Sequence, residues 1–505
     1  MRRNAVAWRH MDAPVVIAGG GPVGLSLALA LARYGVRSIV VEPLEEPVRE
    51  SRALVVWTRT LEIFRDWGIY DAMVEAGTFG TRLEPHEAKT NARLLTVDFT
   101  SVIDVVERPG YLLVPQDVTE TVLRRLVREH PACDLRTGLS VTAVSQDAGG
   151  VRVVVRDAAG AETELTAAFA AGCDGAHGAV RHAVGLTLEG VTYPVHVVLS
   201  DEILAPDGPD FDTPRIALSS PTLLAAIKYA DRSWRILAPQ DGEAPDALGD
   251  DARAARVRAL FGEGVRSTTV WQSRFQIHRR HVPSFGVGRV VLAGDAAHLN
   301  SPAGGQGMNS GIQDAANLAW KIAYALRPGY DVARLLESYD AERREMVTDS
   351  VERMTNTLTT IGLRTSSRVK ARVLAIYSRF LRSRGMQRKA SRTLGMLGGR
   401  YTKSPLIDSH HPMAGRRIDD VVLDDGTRLN RKRAGNAALV VAGEASYGNA
   451  PADAVVIAVT APPKRWQVRL PAVIVVRPDG CVAAVVEKPT PERVAKAWSQ
   501  AFALA

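Results

Sequence analysis

Residues 14–24, Pro-Val-Val-Ile-Ala-Gly-Gly-Gly-Pro-Val-Gly, constrain this chain more than any other segment. Residues 14–18 form a short apolar run that stops at three glycines, and residues 25–34 read as an apolar helix ended by Gly35. A second apolar strand, residues 38–41, closes on Glu42. The pattern predicts a βαβ unit with both strands buried, as parallel strands are. Within it, Gly19 permits the tight strand-to-helix turn, Gly21 lets the backbone approach a pyrophosphate, and Gly24 lets the helix pack close to the sheet. Pro22 and Val23 lead into that helix, whose N-terminus offers partial positive charge to an anion. Glu42 lies 23 residues after Gly19, where an acid accepts hydrogen bonds from ribose hydroxyls. A lone glycine loop is a weak signal. Strand, loop, helix, strand and acid in this order point to a bound dinucleotide, without deciding between FAD and NAD.

Two further motifs bear on that choice. Gly172-Cys173-Asp174-Gly175 leads to Val180-Arg181. Gly294-Asp295-Ala296-Ala297-His298 follows a buried strand at residues 288–293 and runs into Pro302-Ala303-Gly304-Gly305-Gln306-Gly307-Met308-Asn309, then Asp314. An aspartate after a buried strand can hold a ribityl hydroxyl, and a glycine loop entering a helix can set backbone N–H groups against the pyrimidine edge of a flavin. His298 reads as structural. The set favours FAD.

At 505 residues the chain is too long for one simple core, and roughly two to four domains are expected. Residues 54–67 and 117–129 read as amphipathic helices, and residues 151–156 and 162–166 as a hairpin around Ala158-Ala159-Gly160. From 186 to 280 short β-rich runs with scattered aromatics predict a mixed sheet. A long helix is expected at 313–326 and helical structure over 335–396. Strands at 438–442, 454–459 and 472–476 then suggest a separate α/β domain. The three cysteines, Cys133, Cys173 and Cys481, form no C-x-x-C pair, which argues against a disulfide framework, zinc site or dithiol centre and suits the cytoplasm. No apolar run approaches the ~20 residues a bilayer requires, so no membrane is expected as a partner. Residues 1–10 carry three arginines and no signal-peptide segment, and Met11 is an alternative start.

The formal charge of +8 is concentrated: residues 364–403 hold twelve Lys/Arg and no Asp/Glu. These charges alternate with Val369, Val373, Leu374, Ile376, Tyr377, Phe380 and Leu381, a helix with one apolar and one solvated face. Without a recognition module, that pattern does not indicate nucleic acid. An acidic carrier protein delivering substrate, met by Arg379 and Arg382, and a homodimer are the protein partners left open.

Together the three motifs resemble those of the class A flavoprotein monooxygenases, the single-component aromatic hydroxylases typified by para-hydroxybenzoate hydroxylase and phenol hydroxylase. The resemblance covers residues 13 to about 350. It implies an α/β fold: a Rossmann-like FAD-binding domain (13–80, 110–185 and 286–400, with a helical extension), an inserted mixed β-sheet substrate domain (81–109 and 186–285), and a tail at 1–12. Residues 401–505 are similar to the thioredoxin-like domain of phenol hydroxylases and bacterial aromatic polyketide hydroxylases, without its dithiol, which implies a structural or oligomerisation role.

By that resemblance Gly19, Gly21, Pro22, Val23, Gly24 and Glu42 hold the ADP half of non-covalent FAD. Arg52 and Gln116 match family residues near the cofactor. Asp174 lies in the motif associated with both FAD and NAD(P)H, Asp295 matches the ribityl-phosphate aspartate, and Pro302, Gly305, Gly307, Met308 and Asn309 match the loop beside the isoalloxazine ring. Residues 339–344, Tyr-Asp-Ala-Glu-Arg-Arg, match the family sequence after the long helix. Gly178 stands where the family usually has Ser, which puts local geometry and NAD(P)H contacts in question. The implied activity is NAD(P)H- and O2-dependent hydroxylation of a phenolic or polycyclic, polyketide-like aromatic, as in antibiotic biosynthesis, through a flavin C4a-hydroperoxide in a dry site. Baeyer–Villiger insertion, epoxidation, or a flavin reductase or dehydrogenase without oxygen insertion are alternatives on the same fold. No catalytic base is assigned. His196, Lys228, Tyr229, Gln272 and His278, in the β-rich middle, are candidates for the substrate pocket.

Overall fold

A computed structural model describes residues 13–48, 52–218, 224–241, 248–299, 304–351 and 367–505. The first βαβ unit forms as expected: strand Val15–Ala18, helix Pro22–Ala32 and strand Ser38–Glu42. Proline suits the first helical turn, where its missing N–H costs nothing. These strands lie within a six-stranded sheet, ordered Gly286–Val287, Val290–Leu292, Phe169–Gly172, Val15–Ala18, Ser38–Glu42, Cys133–Thr137. All neighbours are parallel except the first pair, a short hairpin. The strands ending at Ala18, Gly172 and Leu292 are adjacent, so all three motifs emerge at one carboxyl edge, where open α/β sheets bind ligands.

The hairpin at 151–166 is present and belongs to a three-stranded sheet, Leu139–Asp147, Gly150–Asp157 and Glu162–Ala167. The middle region forms a mixed seven-stranded sheet, centred on Glu189–Leu204, Ser233–Asp241 and Ser267–His281. Its edge strand His86–Glu87 pairs in parallel with Arg215–Ala217. One face packs Trp234, Ile236 and Ala238 against Val257, Leu260 and Phe261 of helix Asp250–Phe261. The other face carries Leu199, Leu237 and Phe275 toward the motif edge of the first sheet.

Three boundaries differ from expectation. Residues 55–57 are not helical: Val55–Trp57 is a strand paired with Tyr111–Leu113, and the helix is Thr58–Asp66. Tertiary pairing overrides a local pattern that suits either state. The long helix is Gly307–Ala325, starting six residues early because the glycine loop feeds it directly. The region 335–396 is divided into Val332–Glu345, a π-helical turn Met346–Val351, Ser367–Phe380 and Arg384–Leu394, and residues 352–366 lie outside the described residues.

In the C-terminal region the sheet order is Ala454–Val459, Ala437–Ala442, Ala472–Val476, Val482–Glu487; the first pair is parallel and the others antiparallel, with helix Pro491–Ala501 following. It is not a detached unit. Phe502 stacks on Trp498 and Tyr324 and meets Trp320 edge-on, with centroids 4.3, 5.3 and 5.8 Å away. Arg477 Nη1 and Nη2 donate to Glu342 at 2.6 and 2.8 Å, wholly buried. Part of the basic stretch is also internal: Arg388 pairs with Asp104 at 2.5 Å and Arg392 lies 3.8 Å from Asp419. Among the described residues, no helix is long and apolar enough to cross a membrane.

Candidate functional site

The first loop is fixed by sterics. Gly19 has φ +99°, and a Cβ there would lie 2.4 Å from the Cys173 carbonyl oxygen. A Cβ on Gly24 would lie 2.0 Å from the Gly19 carbonyl oxygen. No neighbour lies within 4 Å of the corresponding position on Gly21, so that backbone is open to the cleft and a phosphate can reach it. Gly20 N–H donates to Glu42 Oε2 at 2.6 Å, and Leu44 N–H to Oε1 at 3.0 Å, so the acid is aimed before any ligand arrives. Val23 fills the space above Gly294 and Gly311, where added Cβ atoms would come within 2.8 and 2.5 Å of its methyl group.

The second and third loops are tied to each other. Asp174 Oδ2 accepts from Val180 N–H at 3.0 Å, while its buried Oδ1 has no partner. A Cβ on Gly178 would stand 2.2 Å from that Oδ1. A side chain at position 178 would therefore have to displace this carboxylate. Arg181 donates to the carbonyls of Gly175 (3.3 Å), Ala176 (2.6 Å) and Ala296 (3.2 Å), joining the two loops. Asp295 opens to the cleft, and desolvation by the surrounding protein pushes its carboxyl up; the same cause raises Asp174.

Asp314 is two turns into its helix, and it supports the third loop. It accepts from Gly294 N–H at 2.9 Å, from His298 Nε2 at 2.7 Å and from Arg343 Nε at 2.6 Å. Burial alone would raise its pKa, but the charges of Arg343 and His298 hold it below the carboxylate range. His298 also stacks on Phe285 at 5.7 Å, in keeping with a structural role.

Gly305, Gly307 and Met308 line the cleft, whereas Pro302 lies outside the described residues. Asn309 does not line it. Its Oδ1 accepts from Trp57 N–H, and its Nδ2 donates to the Val55 and Gly305 carbonyls, all at 2.8 Å. It positions the loop against the strand at 55–57. Gln116 lines the cleft at a helix start, accepting from Ala53 N–H at 3.3 Å and donating to Glu120 Oε1 at 2.9 Å. Arg52 also lines the cleft, its guanidinium 5.8 Å from the Phe275 ring centre.

Beyond the loops the same cleft continues between the seven-stranded sheet and the helices at 367–394, reaching about 2280 Å³. Trp57 hinges the two halves: its Nε1 donates to Gly304 O at 2.9 Å, and its ring meets Phe99 and Tyr111 at 5.8 and 5.9 Å. Leu237, Leu199, Leu381, Met386 and Leu394 extend the apolar wall. Sequence reasoning missed Arg235, which is buried in this wall and donates twice to Asp201 at 2.8 Å and to the Ala53 carbonyl at 2.9 Å.

Of the substrate candidates, only His278 lines the cleft. It contacts Thr192 Oγ1 at 3.1 Å, and burial with Arg280 and Arg52 nearby lowers its pKa, keeping the ring neutral. The other four do not line it. His196 pairs in register with Gln276, next to a register shift in the strand. Gln272 accepts from Leu248 N–H at 3.0 Å. Tyr229 donates to Asp201 Oδ2 at 3.2 Å, and Lys228 pairs with Asp210 and Asp212 at 2.7 and 3.1 Å. Among the described residues, no group of His, Cys, Asp or Glu could hold a metal.

Residues 12–354 match the family described as "FAD binding domain". The chain belongs to that family, the class A flavoprotein monooxygenases, and is an FAD-dependent monooxygenase. It is 30% identical to a rifampicin monooxygenase of Streptomyces venezuelae, over 84% of this chain and 86% of that one. It is 31% identical to a 12-dehydrotetracycline 5-monooxygenase/anhydrotetracycline 6-monooxygenase of Streptomyces rimosus, over 82% of each. The solved anhydrotetracycline hydroxylase of Streptomyces rimosus superposes with a TM-score of 0.79 at 29% identity, covering 98% of this chain and all of that one.

Proposed function

We propose that this enzyme uses NAD(P)H and O2 to hydroxylate a phenolic, polycyclic, polyketide-like aromatic. The size and division of the cleft carry the reading. At about 2280 Å³ it exceeds the roughly 300–1,000 Å³ of a site for one small ligand. Its loop half suits a dinucleotide, and its apolar half leaves room for fused rings. Relatives named for tetracycline precursors and rifampicin support the same class.

The residues fit FAD: an open Gly21 backbone, a pre-aimed Glu42, an unpartnered Asp174 Oδ1, and an aspartate and helix N-terminus at Asp295 and Gly307. Bound there, FAD supplies hydride acceptance and oxygen activation. The protein orients the ring and excludes water, and the wall from Trp57 to Leu394 is apolar enough for both. His278 is the residue we assign to polar substrate contact.

We read residues 13–80, 110–185 and 286–400 as the FAD domain, and 81–109 with 186–285 as the substrate domain. The pairing of His86–Glu87 with Arg215–Ala217 supports the latter grouping. Residues 401–505 are read as thioredoxin-like without a dithiol, on their strand order and lone Cys481. The test is to identify the bound cofactor, then screen polycyclic phenols for stimulated NAD(P)H consumption with products read by mass spectrometry. Yellow protein with a product 16 Da heavier is expected. A colourless protein that FAD cannot reconstitute contradicts the proposal.

A further inference from the structure

Charge is distributed unequally along the cleft. Its lining carboxylates, Glu42, Glu120, Asp174 and Asp295, all stand on cofactor-binding elements, and the substrate half has none among the described residues. That half does hold cations. Arg274 also lines it, Arg235 is neutralised by Asp201, and Arg280 donates to the neutral hydroxyl of Thr192 at 2.5 Å. Lys389 is different. It is exposed, lines the cleft from helix Arg384–Leu394, and makes no hydrogen bond or ion pair among the described residues.

Helical spacing explains its direction. Met386, Lys389, Ala390 and Thr393 follow each other at three- and four-residue steps and all line the cleft. Arg388 and Arg392, on another face of the helix, are turned to Asp104 and Asp419. One ammonium without an ion pair thus borders an apolar wall in a compartment whose described lining holds no acid. A ligand carrying negative charge gains a charge-assisted hydrogen bond there, while a cationic ligand finds no partner.

We propose that the aromatic substrate binds as an anion, through an acidic oxygen ionised at neutral pH, and that Lys389 pairs with that charge. This rests on the aromatic-hydroxylase reading and adds the ionisation state of the substrate. The pairing sets specificity: ring burial supplies affinity, and Lys389 selects acidic ring systems among compounds of equal shape. It also fixes one edge of the ring against the Arg384–Leu394 helix, away from the flavin loop at Gly304–Gly305.

The test uses the holoenzyme and two ligands of nearly the same shape, 3-hydroxy-2-naphthoate and its neutral carboxamide, titrated at pH 7.5 by perturbation of the flavin absorbance. We expect the carboxylate to bind about tenfold tighter, as one extra ionic contact would give, with the gap narrowing in high salt. Lys389→Met should erase the preference while leaving carboxamide affinity in place. Lys389→Arg should retain it, and Arg382→Gln, an exposed cation outside the cleft, should have no effect. A preference that persists in Lys389→Met, or equal affinities in the unaltered enzyme, overturns the Lys389 assignment while the aromatic reading stands. Failure of both naphthalenes to perturb the flavin or stimulate NAD(P)H oxidation overturns both.

Discussion

The two halves of the cleft are built by different means. In the cofactor half, position is dictated by backbone: glycines whose added Cβ atoms would strike a carbonyl, loops at the ends of parallel strands, and side chains such as Glu42 and Asp314 already holding N–H groups. In the substrate half, position is dictated by side-chain volume. Trp57, Leu237 and the pair Met386 and Leu394 come from three distant stretches of chain and share only apolarity. A backbone-built site tolerates almost no substitution and serves one ligand. A wall of interchangeable apolar groups can be re-cut for new ring systems while the cofactor site stays fixed.

The largest effect is expected where a side chain is placed in a space that only hydrogen fits. Gly24→Val would put carbon 2.0 Å from the Gly19 carbonyl oxygen, so FAD binding should be lost altogether and soluble yield should fall. Absorbance at 450 nm against protein concentration checks it; a yellow, stoichiometric variant would show that the loop is not sterically fixed. The support beneath the loop comes next. Arg343→Met leaves Asp314 buried with one cation partner fewer, and a loss of about 3–5 kcal/mol is expected by thermal or urea unfolding.

Glu120 gives a smaller, pH-dependent effect. Burial first, then the nearby charges of Glu42 and Asp117, push its carboxyl from an ordinary 4.5 to about 7, against the hydrogen bond from Gln116 and the charge of Arg124. The folded state therefore holds a proton that the unfolded chain releases, and this contribution, full below pH 4.5, is lost as pH rises to about 7. The loss is on the order of 1–3 kcal/mol, and Glu120→Gln should flatten that part of the unfolding profile. The smallest effect is expected in the wall: Leu394→Ala should shift substrate preference toward bulkier rings by about tenfold in kcat/KM, with FAD content unchanged. Loss of FAD in that variant would mean the halves are not separable.

The same division decides what the sequence reveals. Gly19, Gly24, Glu42, Asp174 and Asp295 are legible because a local backbone conformation demands them in order. Asn309 is legible as part of that loop, but its direction is set by the strand at 55–57, which local pattern reads as helix. Strand faces fail for another reason. The pairing of Glu189–Leu204 with Ser267–His281 shifts register between Thr192 and His196 and again between Asp201 and Glu202. Each irregularity breaks simple alternation, so His196 could not be assigned a face from sequence. Arg235, Trp57 and Lys389 reach the cleft through tertiary packing that leaves no local signature.

On the proposed reading, both halves of the cleft serve one oxygen-transfer reaction. Turnover of the most stimulating polycyclic phenol under ¹⁸O2 tests it directly. One labelled oxygen per product molecule, with NAD(P)H consumed in equal amount, is predicted. NAD(P)H consumption that yields only hydrogen peroxide and unlabelled aromatic, across a broad panel of phenols, would contradict it.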